Sequence, residues 1–390
     1  MDKKTQKKPP KSKKIRICAF ELGKTDKNVI GGGDLILPQM SKHFPSNLEL
    51  LVIIPHLAIK NWEKFKNKKL LILPKMYLES KSHPVFIFFL YLLRSLQASK
   101  IAKETRTDFF YSSTNIFPDV LAAYLAKKTT PTIPWVARIH HVIPSPFKRK
   151  GNFLNNLFSF ALDKLALTLI KSRADLTFVL NNNLNEILNR KGFKNLKTLG
   201  VGVSVPKKST KTKKEYDAVS IGRIHPTKGI FDLPLIWKIV IQKQPHARLI
   251  IVGEGRLKDK LKKSISDLNL EKNIILAGYL SESRKINILK KSKVFLFTDH
   301  EAGWGLGISE AMAHQTPVIA YKHAFINEIY PKGLFSVPLK DKRKMAEKIL
   351  LLIRNENERK KVALQAFQMA NTLSWEKVTE EFLADLKLIQ

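Results

Sequence analysis

The hydrophobic positions of this 390-residue chain come in short apolar runs separated by more polar, helix-like stretches. In the first half, IRICAF (15–20), LELLVIIP (48–55), DFFYSS (108–113), PWVARIHH (134–141) and ADLTFVLN (174–181) read as strands. FPDVLAAYLAKK has helical spacing with Asp119 near its start, and NNLNEILNRKG closes on a glycine stop signal. The scheme repeats after a lysine-rich stretch. YDAVSIGRI, ARLIIVGEG (247–255), NIILAGYL (273–280), VFLFTD (294–299) and TPVIAY read as strands, and GIFDLPLIWKIVIQKQ and LKDKLKKSISDLNL as helices. Strands alternating with helices predict parallel sheets covered on both faces. The length predicts more than one core, so the pattern reads as two doubly wound α/β domains joined near residue 206. In such sheets ligands bind beyond the carboxyl ends of the strands, and the glycine clusters of this chain lie at such ends.

Composition agrees with a globular chain: 44% hydrophobic residues, 17 glycines and 19 prolines. The single cysteine, Cys18, excludes an intramolecular disulfide and a cysteine-built zinc site, and makes a cytoplasmic address the default expectation. The formal net charge of +36 changes the picture most, because it predicts attraction to polyanions: nucleic acid, anionic lipid or phosphorylated substrates. A source whose proteins are lysine-rich throughout would give the same number. Basic residues are densest in MDKKTQKKPPKSKKIR, which reads as a disordered tail without the apolar core and cleavage site of a signal peptide, and in PKKSTKTKKEYD (206–217). No segment reaches the roughly eighteen apolar residues that a spanning helix needs. The nearest, PVFIFFLYLL (84–93), reads either as a buried helix or as one lying on a membrane surface.

Two loops carry the candidate chemistry. SIGRIHPTKG (220–229) puts Arg223 and Lys228 after a strand end and before a helix, an arrangement that suits a diphosphate and that two solvated surface charges would also produce. EAGWGLGISEAMAHQTPVIAY (301–321) sets Gly303, Gly305 and Gly307 ahead of a helix starting near Ile308, with Glu301 and Glu310 on either side. Alternating glycines let amides approach a phosphate, and Glu310 serves either as a first-turn cap or as an acceptor for ribose hydroxyls. The spacing is not G-x-G-x-x-G, and there is no D-x-D pair, so neutralisation of a diphosphate by Arg and Lys is expected rather than by a metal.

GRIHPTKG, IIVGEG, IILAGYLSES and GWGLGISEAMAHQTPVIAY occur in the order and spacing of the retaining glycosyltransferases of family four. The chain resembles that family over 15–390, most specifically over 220–321; GGGD (31–34), ARIHHVIP and LSWEKVTEEFLADL match more loosely. The resemblance implies the α/β GT-B fold, two doubly wound Rossmann-like domains facing an interdomain cleft. By residue it implies a disordered basic tail (1–13), an acceptor-binding domain (14–205), a linker (206–216), a nucleotide-sugar-binding domain (217–372) and a closing helix (373–390) that returns to the first domain.

The activity implied is retaining, metal-independent transfer of a sugar from a nucleotide-sugar to an acceptor; the net charge, PVFIFFLYLL and the basic run FKRKGNFLNNLFSFALDKLALTLIKSR (147–173) point to a lipid-linked or cell-envelope glycan as that acceptor. No cofactor or specific nucleic acid is expected, and the location is cytoplasmic or peripheral on an anionic membrane surface. Arg223 and Lys228 match the pair that holds the donor diphosphate and stabilises the leaving group, and Glu310 matches the glutamate on the ribose. Gly305, Leu306 and Gly307 match the phosphate-contacting loop, Gly278 and Tyr279 the base-contacting loop, Gly32 and Gly33 the opposite lining of the donor phosphate, and His140 the histidine near the sugar. The register within GGG stays open.

One departure concerns the two glutamates, which the family separates by seven residues and this chain by eight. Ala302 stands where the first glutamate belongs, so either Glu301 reaches the sugar across a one-residue insertion or that role is lost. Gln315 also replaces a common glycine. A non-catalytic relative that binds nucleotide or polyanion, and a transferase with a soluble sugar-phosphate acceptor, are the competing readings.

Overall fold

The computed structural model describes residues 14–25, 32–66, 68–80, 83–149, 151–206 and 212–389. The expected tail over 1–13, Gly31 and positions 207–211 of the expected linker lie outside the described residues.

The first sheet contains β1 (Ile15–Phe20), β2 (Leu48–Pro55), β3 (Lys69–Leu73), β4 (Phe109–Ser112), β5 (Trp135–Ile139), β6 (Leu176–Val179) and β7 (Leu196–Thr198), in the order β3-β2-β1-β4-β5-β6-β7. The second contains β8 (Tyr216–Ile221), β9 (Leu249–Val252), β10 (Ile274–Gly278), β11 (Ser292–Phe297), β12 (Val318–Tyr321) and β13 (Leu334–Val337), in the order β10-β9-β8-β11-β12-β13. The pairings are parallel, for example Cys18 opposite Leu51 and Phe110, and Val219 opposite Ile250 and Phe295. The strand order therefore reverses between β1 and β4 and again between β8 and β11. At such a reversal the loops on the two sides diverge and leave a crevice at the carboxyl ends.

By compactness the described chain divides into one unit within 1–138, 165–176 and 387–390, and a second within 139–164 and 177–386. The core of the second is built from Trp237, Leu233, Ile236, Leu249, Ile251, Leu296, Ile319 and Met345, all at most 1% exposed. Apolar runs such as LIIV are buried end to end, as expected for strands covered on both faces. The last helix, Trp375–Lys387, belongs to the second unit up to Leu386. There Phe382 packs on Phe178 of β6 with ring centroids 5.4 Å apart, and Asp385 pairs with Lys197 of β7 at 3.6 Å.

The expectation that no segment is long and apolar enough to span a bilayer needs correction. Helices Pro84–Glu104 and Phe153–Arg173, 21 residues each, qualify by length and composition, because scattered polar residues interrupt but do not outweigh their apolar ones. The first is anchored in its own unit through Arg94, whose fully buried guanidinium donates to the carbonyls of Leu22 (2.9 Å) and Lys24 (2.7 Å) and to Glu79 (2.8 Å). Its opposite side leaves Phe86, Phe89, Leu93 and Leu96 between 42% and 55% exposed, at spacings that align on one helical face.

At the β1–β4 reversal of the first unit lies a small cavity where Glu21, Lys24, Asp34, Asn61, Thr114 and Asp119 meet the apolar Ala58 and Ile116. Asp119 is buried and accepts from Leu22 N (2.6 Å) and Thr114 Oγ1 (2.7 Å). Burial outweighs those bonds and pushes its carboxyl from 3.8 up to about 7. Glu21, which accepts from Trp62 Nε1 at 2.8 Å, is raised in the same direction by burial.

A carboxyl with a raised folded-state pKa favours folding while protonated, and that contribution disappears as pH rises through the folded value. Between about pH 4 and pH 7, Asp119→Asn should therefore remove up to one proton's worth of slope, about 1.4 kcal/mol per pH unit. Urea titrations at several pH values measure this. Identical slopes for both proteins would refute it.

Candidate functional site

The second unit gathers its charged groups at the β8–β11 reversal. After β8 the chain runs through Arg223 into a 3-10 turn, Pro226–Lys228, before helix Asp232–Lys243. His225 caps the turn, its Nδ1 facing Thr227 Oγ1 at 2.8 Å. Gly229 ends the turn in the left-handed region, φ +57°, and a Cβ there would stand 1.9 Å from the carbonyl oxygen of Thr298. The loop after β11 is bonded along this turn: Thr298 Oγ1 donates to Lys228 O (3.0 Å) and His300 N to Thr227 O (2.7 Å). The two loops are thereby aligned, and Lys228 Nζ donates to Asp299 Oδ2. Asp299 is only 8% exposed. Burial raises its carboxyl, against the pull of Lys228.

Arg223 is exposed and makes no ion pair among the described residues. Glu301 is gripped in two-pronged fashion by Arg149, a residue that the sequence reading did not single out. Arg149 Nε lies 3.0 Å from both carboxylate oxygens, and Nη2 lies 3.0 Å from Oε2. His140 and His141 begin the segment leaving β5. His141 keeps an exposed edge but lies deep in protein mass; this desolvation lowers its pKa, Arg149, Lys228 and Arg223 reinforce the effect, and Glu301 opposes it. Burial, Arg223 and Arg149 likewise lower His225. Both imidazoles are thus held neutral beside the cationic cluster.

The three alternating glycines each have a packing reason within the protein. A Cβ on Gly303 would lie 2.4 Å from the carbonyl oxygen of His140, and Gly305 adopts φ +83° ahead of helix Leu306–Ala313. Gly307 faces the Phe295 ring, 3.0 Å from where its Cβ would be. The helix begins at Leu306, two residues earlier than the pattern near Ile308 predicts, because the left-handed Gly305 already turns the chain into it.

Glu310 accepts from Lys285 Nζ at 2.9 Å, and Glu282 reaches the same ammonium at 3.0 Å. Burial works against that ammonium, but Glu310 and Glu282 outweigh it and hold Lys285 above its usual range. Tyr279 is 59% exposed after Gly278, which takes φ +68° beside Glu254. Gly32 and Gly33 belong to the first unit, at the start of the 3-10 turn Gly33–Leu35.

Of the expected residues, Arg223, Lys228 and Glu301 follow strands on the two sides of one reversal. Gly305, Leu306 and Gly307 continue the second of these loops, while Glu310 lies one turn into the helix. Arg149, Asp299 and Lys285 were missed. Asp299 alone had a usable signal, being the last residue of VFLFTD and so at a strand end. The partners of Glu301 and Glu310 are set by tertiary contact and have no local pattern.

The glycosyl transferases group 1 family matches residues 204–369. The chain is 32% identical over 176 residues to poly(ribitol-phosphate) alpha-N-acetylglucosaminyltransferase of Staphylococcus aureus, covering 44% of this chain and 35% of that protein. It is 28% identical over 163 residues to poly(glycerol-phosphate) alpha-glucosyltransferase of Bacillus subtilis, covering 41% and 24%. The chain thus spans about a third or less of the length of these curated relatives. Among solved structures, Anabaena Alr3699/HepE in complex with UDP and glucose superposes with a TM-score of 0.73 at 17% identity, covering 96% of this chain and 99% of that one. A mutant of S. aureus TarM, in complex with Fondaparinux, alpha-GlcNAc-glycerol and UDP, gives 0.64 at 24% identity, covering 75% and 58%. The expected fold is thereby shown: two doubly wound parallel α/β units, as in GT-B glycosyltransferases.

Proposed function

We propose, for a chain whose residues 204–369 match the glycosyl transferases group 1 family, that it transfers a sugar with retention from a nucleotide-sugar to a cell-envelope acceptor, without a metal. The observation that carries this reading is the convergence of Arg223, Lys228 and Glu301 on the β8–β11 reversal, the position where doubly wound sheets bind nucleotides. Arg223 and Lys228 meet the diphosphate there. As the bond between the sugar's anomeric carbon and the phosphate oxygen breaks, negative charge grows on the leaving diphosphate, and two fixed cations stabilise it. They take the part that a metal plays elsewhere.

Glu301 accepts hydroxyl donors from the sugar, and Glu310 those of the ribose. Gly278 and Tyr279 flank the base, the amides of Gly305, Leu306 and Gly307 meet phosphate, and His140 stands by the sugar. The leaving phosphate oxygen takes the acceptor proton.

For the acceptor, the net charge of +36 and the relatives named for poly(ribitol-phosphate) and poly(glycerol-phosphate) favour an anionic envelope polymer or lipid-linked glycan. The exposed stripe Phe86, Phe89, Leu93 and Leu96 favours presentation of that acceptor at an anionic lipid surface.

A panel of nucleotide-sugars, scored for thermal stabilisation and slow hydrolysis, tests the donor half. At least one UDP-sugar should both stabilise and be hydrolysed. Poly(glycerol phosphate), a soluble sugar phosphate and anionic lipid vesicles are then added separately, and the first or third should accelerate UDP release. Stabilisation by nucleotides without turnover of any donor would replace this reading with that of a non-catalytic binder.

A further inference from the structure

Glu301 presents a problem that the proposed function leaves unsolved. It stands beside Gly303, Gly305 and Gly307, on a glycine-rich loop that does not by itself fix a side chain. The second unit supplies the missing constraint. Arg149 follows the 3-10 turn Pro146–Lys148, which is held by Pro146 and by bonds from Lys148 N to Ser145 O (2.9 Å) and Arg149 N to Pro146 O (3.3 Å). Ile143 N donates to Asp163 Oδ2 at 3.1 Å, tying this segment to helix Phe153–Arg173, and Arg149 O accepts from Asn156 Nδ2 at 3.4 Å.

On the other side, Glu301 N donates to Thr227 O (3.3 Å), and Gly303 O accepts from Asn181 Nδ2 (2.8 Å). Gly303 also lies directly against the His140 carbonyl. Both partners are thus bound to rigid neighbours, and their side chains are only 12% and 18% exposed. A surface ion pair between mobile side chains has neither property.

We infer that Arg149 is a positioning residue: its two-pronged grip sets the plane and direction of the Glu301 carboxylate. The inference rests on the proposed function, in which Glu301 receives sugar hydroxyls. The chemistry is compatible with that role. A carboxylate offers about four acceptor positions; Arg149 meets Oε2 through both Nε and Nη2 and Oε1 through Nε alone, so the capacity left for a sugar hydroxyl lies mainly on Oε1. Arginine alone among the side chains donates two parallel N–H groups in a fixed plane; lysine supplies the charge without the plane. Arg149 itself meets Glu301 rather than the diphosphate, so its effect appears where the sugar is handled.

The test uses the full chain, the best donor of the UDP-sugar panel, and the variants Arg149→Ala, Arg149→Lys, Glu301→Gln and the double variant Arg149→Ala/Glu301→Gln. Arg149→Ala should lower kcat for donor hydrolysis roughly 10- to 100-fold, the range that follows from misplacing a contact group by an ångström. Its Kd for UDP, measured by calorimetry, should stay within about twofold, since UDP lacks the sugar. Arg149→Lys should recover part of the loss, and the double variant should be no slower than Glu301→Gln alone, because both changes remove one interaction.

A kcat for Arg149→Ala within about twofold of wild type overturns the inference. So does a parallel tenfold loss of UDP affinity, roughly, which would make Arg149 a diphosphate ligand instead. If Arg149→Ala does not fold, Arg149→Lys decides: reduced kcat at unchanged melting temperature supports positioning, and unchanged kcat removes it. A wild type that turns over no donor overturns the proposed function and this inference together. An active wild type with an indifferent Arg149 overturns the inference alone.

Discussion

Arg223→Ala should reduce turnover by roughly 100- to 1,000-fold, the loss typical of removing one preorganised group from a developing oxyanion, while the protein melts as the wild type does. The structure separates the two effects cleanly at this position. Arg223 is exposed and has no ion-pair partner among the described residues, so truncation uncovers no buried charge and leaves no cavity. Surface changes of this kind stay within about 0.5 kcal/mol.

Lys228→Ala is the less clean experiment. Its ammonium faces Asp299, a carboxylate that burial already pushes toward its neutral form, and removing the cation leaves that group without its main compensation. A fall in both activity and stability is expected there, and activity alone would fall with Arg223. The measurements are kcat with the best donor and melting temperature by scanning fluorimetry. Full activity of Arg223→Ala would remove the diphosphate assignment.

Gly229→Ala should be the more damaging change to the molecule as a whole, although it adds one methyl group. At φ +57° an alanine pays the left-handed penalty, about 1–2 kcal/mol. Its Cβ would also stand 1.9 Å from a backbone oxygen, that of Thr298, which no rotamer change relieves. The loops after β8 and β11 must separate, breaking the bonds of Thr298 to Lys228 O and His300 to Thr227 O. A total of about 3 kcal/mol is expected, or a melting temperature lower by roughly 6–12 °C for a unit of this size. Turnover should fall as well, because the clamp sets Lys228 against Asp299. Gly222→Ala is the matched control: a Cβ there meets nothing within 4 Å, and its melting point should barely move. Equal melting of Gly229→Ala and wild type would mean that the two loops are not clamped.

The strands most readable from the pattern were the largely buried ones, such as LIIV at β9 and VIAY at β12. The strands that escaped, β3, β7 and β13, all stand at sheet edges. There KLLIL, LKT and LFSV keep exposed or half-buried positions, so the continuous apolar run that marks a central strand is diluted. β10 is an edge strand too, but IILAG is apolar enough to read. At the site, what the sequence made legible was chemistry attached to strand ends: Arg223, Lys228 and Glu301. Their partners were invisible for a physical reason. Lys228 and Asp299 are 71 residues apart and Arg149 and Glu301 are 152 apart, and no local preference encodes a contact that only the folded topology brings about. The glycines of GWGLG were legible as close approaches, but what they approach includes the protein's own His140 carbonyl and Phe295 ring.

The contact of Phe382 with Phe178 has a consequence for how the chain is made. β6 leaves the ribosome long before helix Trp375–Lys387, and the whole second sheet is synthesised in between. At roughly 5–20 residues per second, Phe178 waits about ten seconds or more for its covering helix. During that interval the apolar ring of Phe178 lacks its late partner. A lesion in the late helix is therefore expected to leave Phe178 without its ring partner and to show as a lower soluble yield.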